Sequence, residues 1–208
     1  MSVITPQNWQ ILPESFYQRG NTNLIARQLL GKLLVTNLGG MRCAVRIVET
    51  EAYHGITDRA SHAWNGRHTN RTAVMYQPGG LAYVYLCYGI HALFNVVTHT
   101  AGMPHAILLR AAEPVEGMAA MTRRTGKQAN LPALTSGPGN LSKAMGIDTR
   151  HTGLSLQGNT IWLADDGFRL SSRRIAATPR IGVDYAGKDA LLPYRFIIRD
   201  HPYLSGRP

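Results

Sequence analysis

The chain is short of charge and of cysteine. Only 16% of its 208 residues are charged and 44% are hydrophobic, which excludes a largely disordered polymer and leaves a globular protein with one well-buried core. Two cysteines, Cys43 and Cys87, make neither a disulfide framework nor a zinc cluster, and a reducing interior is expected. The most apolar stretches are broken by Gly, His or Arg well before the roughly 20 residues that a helical membrane span needs. The start, Met1-Ser2-Val3, has no basic segment followed by an apolar one, so no secretory signal is expected. Metal ligands in a usable pattern are missing too: His54, His62 and His68 fit no common spacing and lie in a Gly/Asn-rich segment. No internal repeat, low-complexity run or Gly-rich loop after a strand is present. A nucleotide-type cofactor therefore has no evident cradle, and neither cofactor nor metal is expected.

The scarcest charge is negative. Twelve Asp and Glu face 22 Lys and Arg, a formal net charge of +10, which raises the local concentration of polyanions and points to nucleic acid. The basic residues are scattered: Arg67 and Arg71, then Arg123, Arg124 and Lys127, Arg169, Arg173 and Arg174, and finally Arg195 and Arg199. A folded surface, not a tail, has to carry that field.

The spacing predicts a short helix over Asn23 to Leu30, capped by Asn23 and ended by Gly31. A hairpin of strands follows at Lys32–Thr36 and Met41–Tyr53. Ile56 to Gly80 reads as a long polar loop, and loops of that length are usually functional. Strands are expected at Leu81–Tyr88, Phe94–Thr98 and Ala106–Ala111, with a turn at Gly89. Val115–Thr125 and Leu141–Met145 read as helices, and Thr160–Ala164, Phe168–Ser171, Arg180–Val183 and Arg195–Arg199 as further strands. Antiparallel-looking runs with segregated helices make this an α+β chain, expected to form a single mixed domain over residues 1–208.

Along Met41 to Tyr53 one alternating set is Cys43, Val45, Ile47, Glu49, Glu51 and Tyr53. Arg42 and Arg46 mark the other face as the solvent side. If the strand runs unbroken, two carboxylates point inward beside an aromatic ring, where they are costly unless paired or useful. If it bulges near Glu49, both acids sit at a rim in ordinary ion pairs. Tyr83 and Tyr85 share one face of the next hairpin, and Tyr88 stands at its turn. These rings fit either core and rim packing, or base stacking and a wedge between base pairs. Gly139 and Asn140, before Leu141, either offer backbone N–H groups to a phosphate or form a plain turn into the helix. Arg110, in the apolar run Ile107–Ala111, either pairs an inward carboxylate or reaches solvent, with Glu113 as an available partner.

The segments RIVETEAYHG from Arg46, NRTAVM from Asn70 and AYVYLCYGIHALFN from Ala82 together resemble the alkyladenine (3-methyladenine) DNA glycosylase family, in its bacterial form. So do AILLRAAEP from Ala106, SGPGNLSKAMGI from Ser136, TPRIGV from Thr178 and RFIIR from Arg195. The blocks occur in family order and cover nearly the whole chain. The resemblance implies a curved antiparallel sheet with peripheral helices and a protruding β-hairpin. It makes Glu51 the general base, with Arg110 and the main-chain carbonyl of Ile181 helping to hold the attacking water. Tyr53, Tyr85 and His62 become the pocket rings, Asn95 the group that crowds the amino substituent of guanine, and Leu108 a neighbour of the pocket. Tyr88 becomes the wedge, flanked by Ile90 and His91.

The mechanism so implied is extrusion of a damaged purine from double-stranded DNA and hydrolysis of its N-glycosidic bond by a monomer. Glu51 would activate water, with Arg110 favouring its ionised form. No lyase step is expected, since no Lys falls at a matched pocket position. A cytoplasmic, nucleoid-associated location follows. The rival reading is a non-catalytic nucleic-acid-binding module on the same scaffold, which explains the charge and the tyrosines but gives Glu51 no reason to face inward.

Overall fold

The computed structural model describes residues 9–206; the reading of Met1–Val3 lies outside them. Nine strands form one antiparallel sheet among the described residues. In chain order they are β1 (Gln10–Ile11), β2 (Leu33–Leu38), β3 (Met41–Tyr53), β4 (Ala82–Cys87), β5 (His91–Thr98), β6 (His105–Glu116), β7 (Ile161–Asp165), β8 (Ile175–Thr178) and β9 (Arg195–Ile198). The helices are α1 (Glu14–Tyr17), α2 (Thr22–Leu29), α3 (Met118–Thr125) and α4 (Pro138–Met145). The sheet order is β1-β7-β2-β3-β6-β5-β4, with β9 pairing both β3 and β8. The α+β architecture expected from the sequence is present. No helix among the described residues is long and apolar enough to cross a membrane.

The main core lies between the sheet and the helices. Ile25, Ala26 and Leu29 of α2, Met121 of α3 and Leu141, Ala144 and Met145 of α4 pack onto Val84, Phe94, Val96, Ile107 and Leu109. Full burial of a Leu or Ile stabilises by about 1.5–3 kcal/mol. The start of α2 is set by Asn21, whose side chain accepts from the Leu24 backbone N–H at 2.9 Å. Asn23, expected as the cap, instead bonds the His54 ring at 2.9 Å.

On the opposite sheet face lies the polar segment between β3 and β4. It is held by three short 3₁₀ turns and by a small cluster of Ala63, Met75, Tyr83, Val97 and Ala106.

β3 does not run unbroken. Its register against β6 shifts between Ile47 and Glu49, and again between Glu49 and Thr50. The bulge reverses the alternation. Before it, Cys43, Val45 and Ile47 are in the main core; after it, Val48 and Ala52 are, and Thr50 bonds the Ala26 carbonyl of α2 at 3.0 Å. Glu49, Glu51 and Tyr53 are thereby turned onto the face away from the helices. The acids are nonetheless fully buried, so neither an unbroken strand nor an exposed rim describes them. At the bulge the partner on one edge of β3 changes, from β2 over Met41–Arg46 to β9 over Glu49–Glu51.

Three further expectations are corrected. β6 passes through Pro114 to Glu116 at another register shift, where a residue without an N–H is tolerated, so α3 begins at Met118 and not Val115. Phe168–Ser171 is no strand: the Phe168 ring packs under the Arg46 guanidinium at 4.4 Å, and its N–H is held by Asp166. Arg180–Val183 is no strand either. Pro179 cannot donate to a ladder, and the Ile181 N–H is used elsewhere.

Candidate active site

The site begins with the strand register. Glu51 on β3 stands opposite Leu108 on β6, Leu108 opposite Asn95 on β5, and Asn95 opposite Tyr83 on β4. Residues opposite one another share a face, so these four form one row across the sheet. The adjoining row on that face supplies Tyr53 and Ala106, which also stand opposite each other.

Glu51 is held from three directions. One oxygen accepts from the Ile181 backbone N–H at 2.8 Å. The other accepts from the Tyr53 hydroxyl at 2.8 Å and from Arg110 Nη1 at 3.3 Å. A carboxylate offers about four lone-pair positions, so one, on the Ile181 side, stays open. The sequence reading used the carbonyl of Ile181; here its N–H contacts the carboxylate.

Arg110 is inward, and its partners are Glu49 (3.0 Å) and Glu51, not Glu113, which lies 3.6 Å from His201. Burial works against the Arg110 charge, but Glu51 and then Glu49 outweigh it and hold its pKa above the ordinary value. Glu49 takes a second cation, Arg195 at 2.7 Å, together with the N–H and hydroxyl of Ser205. Two buried carboxylates thus share two buried guanidiniums.

Behind Tyr53 lies a second buried pair. Arg180 grips Asp58 through both terminal nitrogens, donates to the Ala52 carbonyl at 3.0 Å, and sits 4.7 Å from the centre of the Tyr53 ring. Burial pushes the Asp58 carboxyl up. The Arg180 fork and the backbone N–H groups of His54 and Ala60 more than reverse this and leave it below its ordinary value. Tyr53 is driven well above its ordinary pKa, by burial first and then by the Glu51 charge. Its hydroxyl therefore stays protonated and donates.

The remaining ring residues meet in front of Tyr53. Tyr53, Ala60, Ser61, His62, Met75, Tyr83, Tyr85, Asn95 and Ala106 enclose a cavity of about 20 Å³, room for roughly one water and not for a purine. His62 fills the space, edge-on to Tyr85 with ring centres 4.5 Å apart. Its Nδ1 is 2.8 Å from the Tyr83 hydroxyl and its Nε2 3.0 Å from Arg71. Asn95 spends its amide hydrogens on the Tyr83 and Leu93 carbonyls, both at 3.2 Å, which leaves its side-chain oxygen for a ligand. Leu108 is buried in the row between Glu51 and Asn95 and does not line the cavity.

About the hairpin the chain is built to protrude. Tyr88 (φ 50°) and Gly89 (φ 73°) are both left-handed, closing the tight turn that joins β4 to β5. Tyr88 is 93% exposed and Ile90 73%, far beyond what packing asks of such side chains. His91 lies against Gly139, where an added Cβ would come within 3.2 Å of its ring. The turn and the start of α4 therefore face one cavity of about 250 Å³, lined by Tyr88, His91, Leu93 and Gly137–Asn140. The Asn140 side chain is already engaged, with Lys127 at 2.7 Å and the Ser136 carbonyl at 2.8 Å.

Residues 15–202 match the family described as methylpurine-DNA glycosylase. The chain belongs to this family. Relatives carrying the name "Putative 3-methyladenine DNA glycosylase" include one from Myxococcus xanthus, 47% identical, with 97% of this chain and 95% of the relative covered. Those from Bacillus cereus and Chlamydia felis are 43% and 44% identical, covering 93% and 90% of this chain and 98% and 96% of their own.

Several residues that shape the site in this glycosylase-family chain escaped sequence reasoning. Asp58 and Arg180 are 122 positions apart, and nothing local ties them together. Arg195, counted above with the surface cations, is 2% exposed; its place beside the apolar Phe196-Ile197-Ile198 was the available hint. Arg124, away from the site, also turns inward, to the Leu38 and Ala144 carbonyls. Arg71 was read as a surface charge, although it reaches the pocket histidine.

Proposed function

We propose that the chain is a monofunctional DNA glycosylase that extrudes a damaged, 3-methyladenine-like purine from duplex DNA and hydrolyses its N-glycosidic bond. The observation that carries this reading is Glu51: a fully buried carboxylate, fixed by three donors, with one acceptor position left for a water. A carboxylate so oriented takes the proton of the attacking water and stabilises the oxocarbenium character of the departing sugar. Arg110 and the Ile181 main chain keep it aimed.

Tyr53, Tyr85 and His62 take the flipped base, and Asn95 excludes the amino group of normal guanine. Tyr88, with Ile90 and His91 beside it, fills the gap in the duplex, while the N–H groups of Gly139 and Asn140 meet a phosphate. Because the pocket is closed, admission of a base separates His62 from Tyr85, so opening is a step of the reaction. A cationic alkylated purine between the rings gains roughly 0.5–2 kcal/mol over a neutral one.

The test is base release from methylated duplex DNA by the purified chain, resolved by chromatography. Free 3-methyladenine and an abasic strand that stays uncut are expected. Tight binding with no release would favour the non-catalytic binder, and strand scission through a Schiff base would contradict the monofunctional assignment.

A further inference from the structure

We propose that Arg71 is a positioning residue that holds His62 uncharged, with its proton on Nδ1, so that the pocket accepts a positively charged purine; this rests on the base-pocket reading above. A guanidinium has donors only. Facing His62 Nε2 at 3.0 Å, it requires a lone pair there. The proton of the neutral ring is then on Nδ1, which donates to the Tyr83 hydroxyl at 2.8 Å. A second proton on Nε2 would set two donors and two positive charges against each other at that distance.

Arg71 is itself steadied, its guanidinium lying 4.7 Å from the centre of the Tyr85 ring. Among the described residues no carboxylate is within ion-pair distance of it. The groups acting on His62 are Arg71 and Arg67 from the polar segment, with Tyr83 and Tyr85 from β4. Both tyrosines are pushed up chiefly by burial and stay neutral. Burial first, then Arg71 and Arg67, bring the imidazole down to about 4.

The consequence is a choice of substrate charge. A purine alkylated on a ring nitrogen carries a fixed positive charge in DNA. A neutral imidazole stacks on it, whereas an imidazolium repels it. The Arg71 side chain is long and largely exposed, so its guanidinium can follow the ring when the pocket opens.

Nitrogen-15 NMR of the His62 ring in the full chain reads the arrangement directly. The wild type should show the Nδ1–H form, titrating near 4. Arg71→Met should populate the Nε2–H form and raise the midpoint above 4, burial still keeping it short of the ordinary 6.5, and Arg71→Lys, which keeps a cationic donor, should largely restore the wild-type pattern. In single-turnover release of 3-methyladenine, the rate of Arg71→Met relative to wild type should fall several-fold between pH 7.5 and 5. The same substitution in a His62→Gln background should show no such fall. An unchanged tautomer and midpoint in Arg71→Met, or a relative rate independent of pH, would overturn the proposal. Absence of any base release by the wild type would instead defeat the glycosylase reading, and the NMR result would still decide the role of Arg71.

Discussion

Glu49 and Glu51 are two positions apart, equally buried, and differ in what surrounds them. Glu49 takes four donors, from two guanidiniums and from the N–H and hydroxyl of Ser205; Glu51 takes three and keeps an open acceptor position. The first is suited to holding structure and the second to handling a water. The same contrast applies behind Tyr53, where the Arg180–Asp58 pair is nearly solvent-free. Removing one charge from such a pair strands the other in low dielectric. Asp58→Asn, which keeps the shape and deletes the charge, should therefore cost about 3–5 kcal/mol in denaturant unfolding, far above the ~0–1 kcal/mol of a surface pair. A loss below 1 kcal/mol would mean that Arg180 finds solvent or another partner.

Among the elements, the hairpin carries the most specific expectation. Tyr88 is left-handed and nearly fully exposed, so its ring adds little to the fold and its backbone favours glycine. Tyr88→Gly should leave the melting temperature unchanged or slightly raised while weakening binding to lesion-containing duplex at least tenfold, as read by fluorescence anisotropy. Undiminished affinity would exclude the wedge. Elements were legible where local pattern decides them: β3 was bounded at Met41 and Tyr53 as found, and the tyrosines of β4 fall on one face as alternation requires. What escaped has non-local causes. The bulge at Val48 falls beside a second irregularity at Arg110 of β6 and at the change of partner from β2 to β9. β8 at Ile175–Thr178 forms because β9 offers it an edge, which nothing in its own four residues announces. Of the site, Glu51, Tyr53, His62, Tyr85 and Asn95 are brought together on one side of the sheet. Arg180 and Arg195, which brace them, could not be matched to partners more than a hundred positions away.

For the whole molecule, burial of histidine makes the fold sensitive to acid. His62 and His105 are both brought down to about 4, burial being the first cause in each. The unfolded chain binds a proton at each near 6.5 and the folded chain does not. Their contribution is thus intact above about pH 6.5 and is lost as pH falls from there toward 4. Stability measured by urea should drop between pH 7 and 4.5 by on the order of 2 kcal/mol for His62 and by less for His105, which solvent partly screens, and the His62→Gln, His105→Gln double variant should lose much of that slope. The net charge of +10 acts at the same scale, drawing the DNA in through a salt-sensitive field.

On the function proposed above, Glu51 performs the chemistry and does not merely support the pocket. Glu51→Gln keeps the size of the side chain and its contacts with Tyr53 and Arg110 but removes the base. Under single-turnover conditions with enzyme in excess over a 3-methyladenine-containing duplex, release should fall by three orders of magnitude or more, while lesion affinity stays within a few-fold of wild type. Excision by Glu51→Gln within tenfold of the wild-type rate would contradict the account.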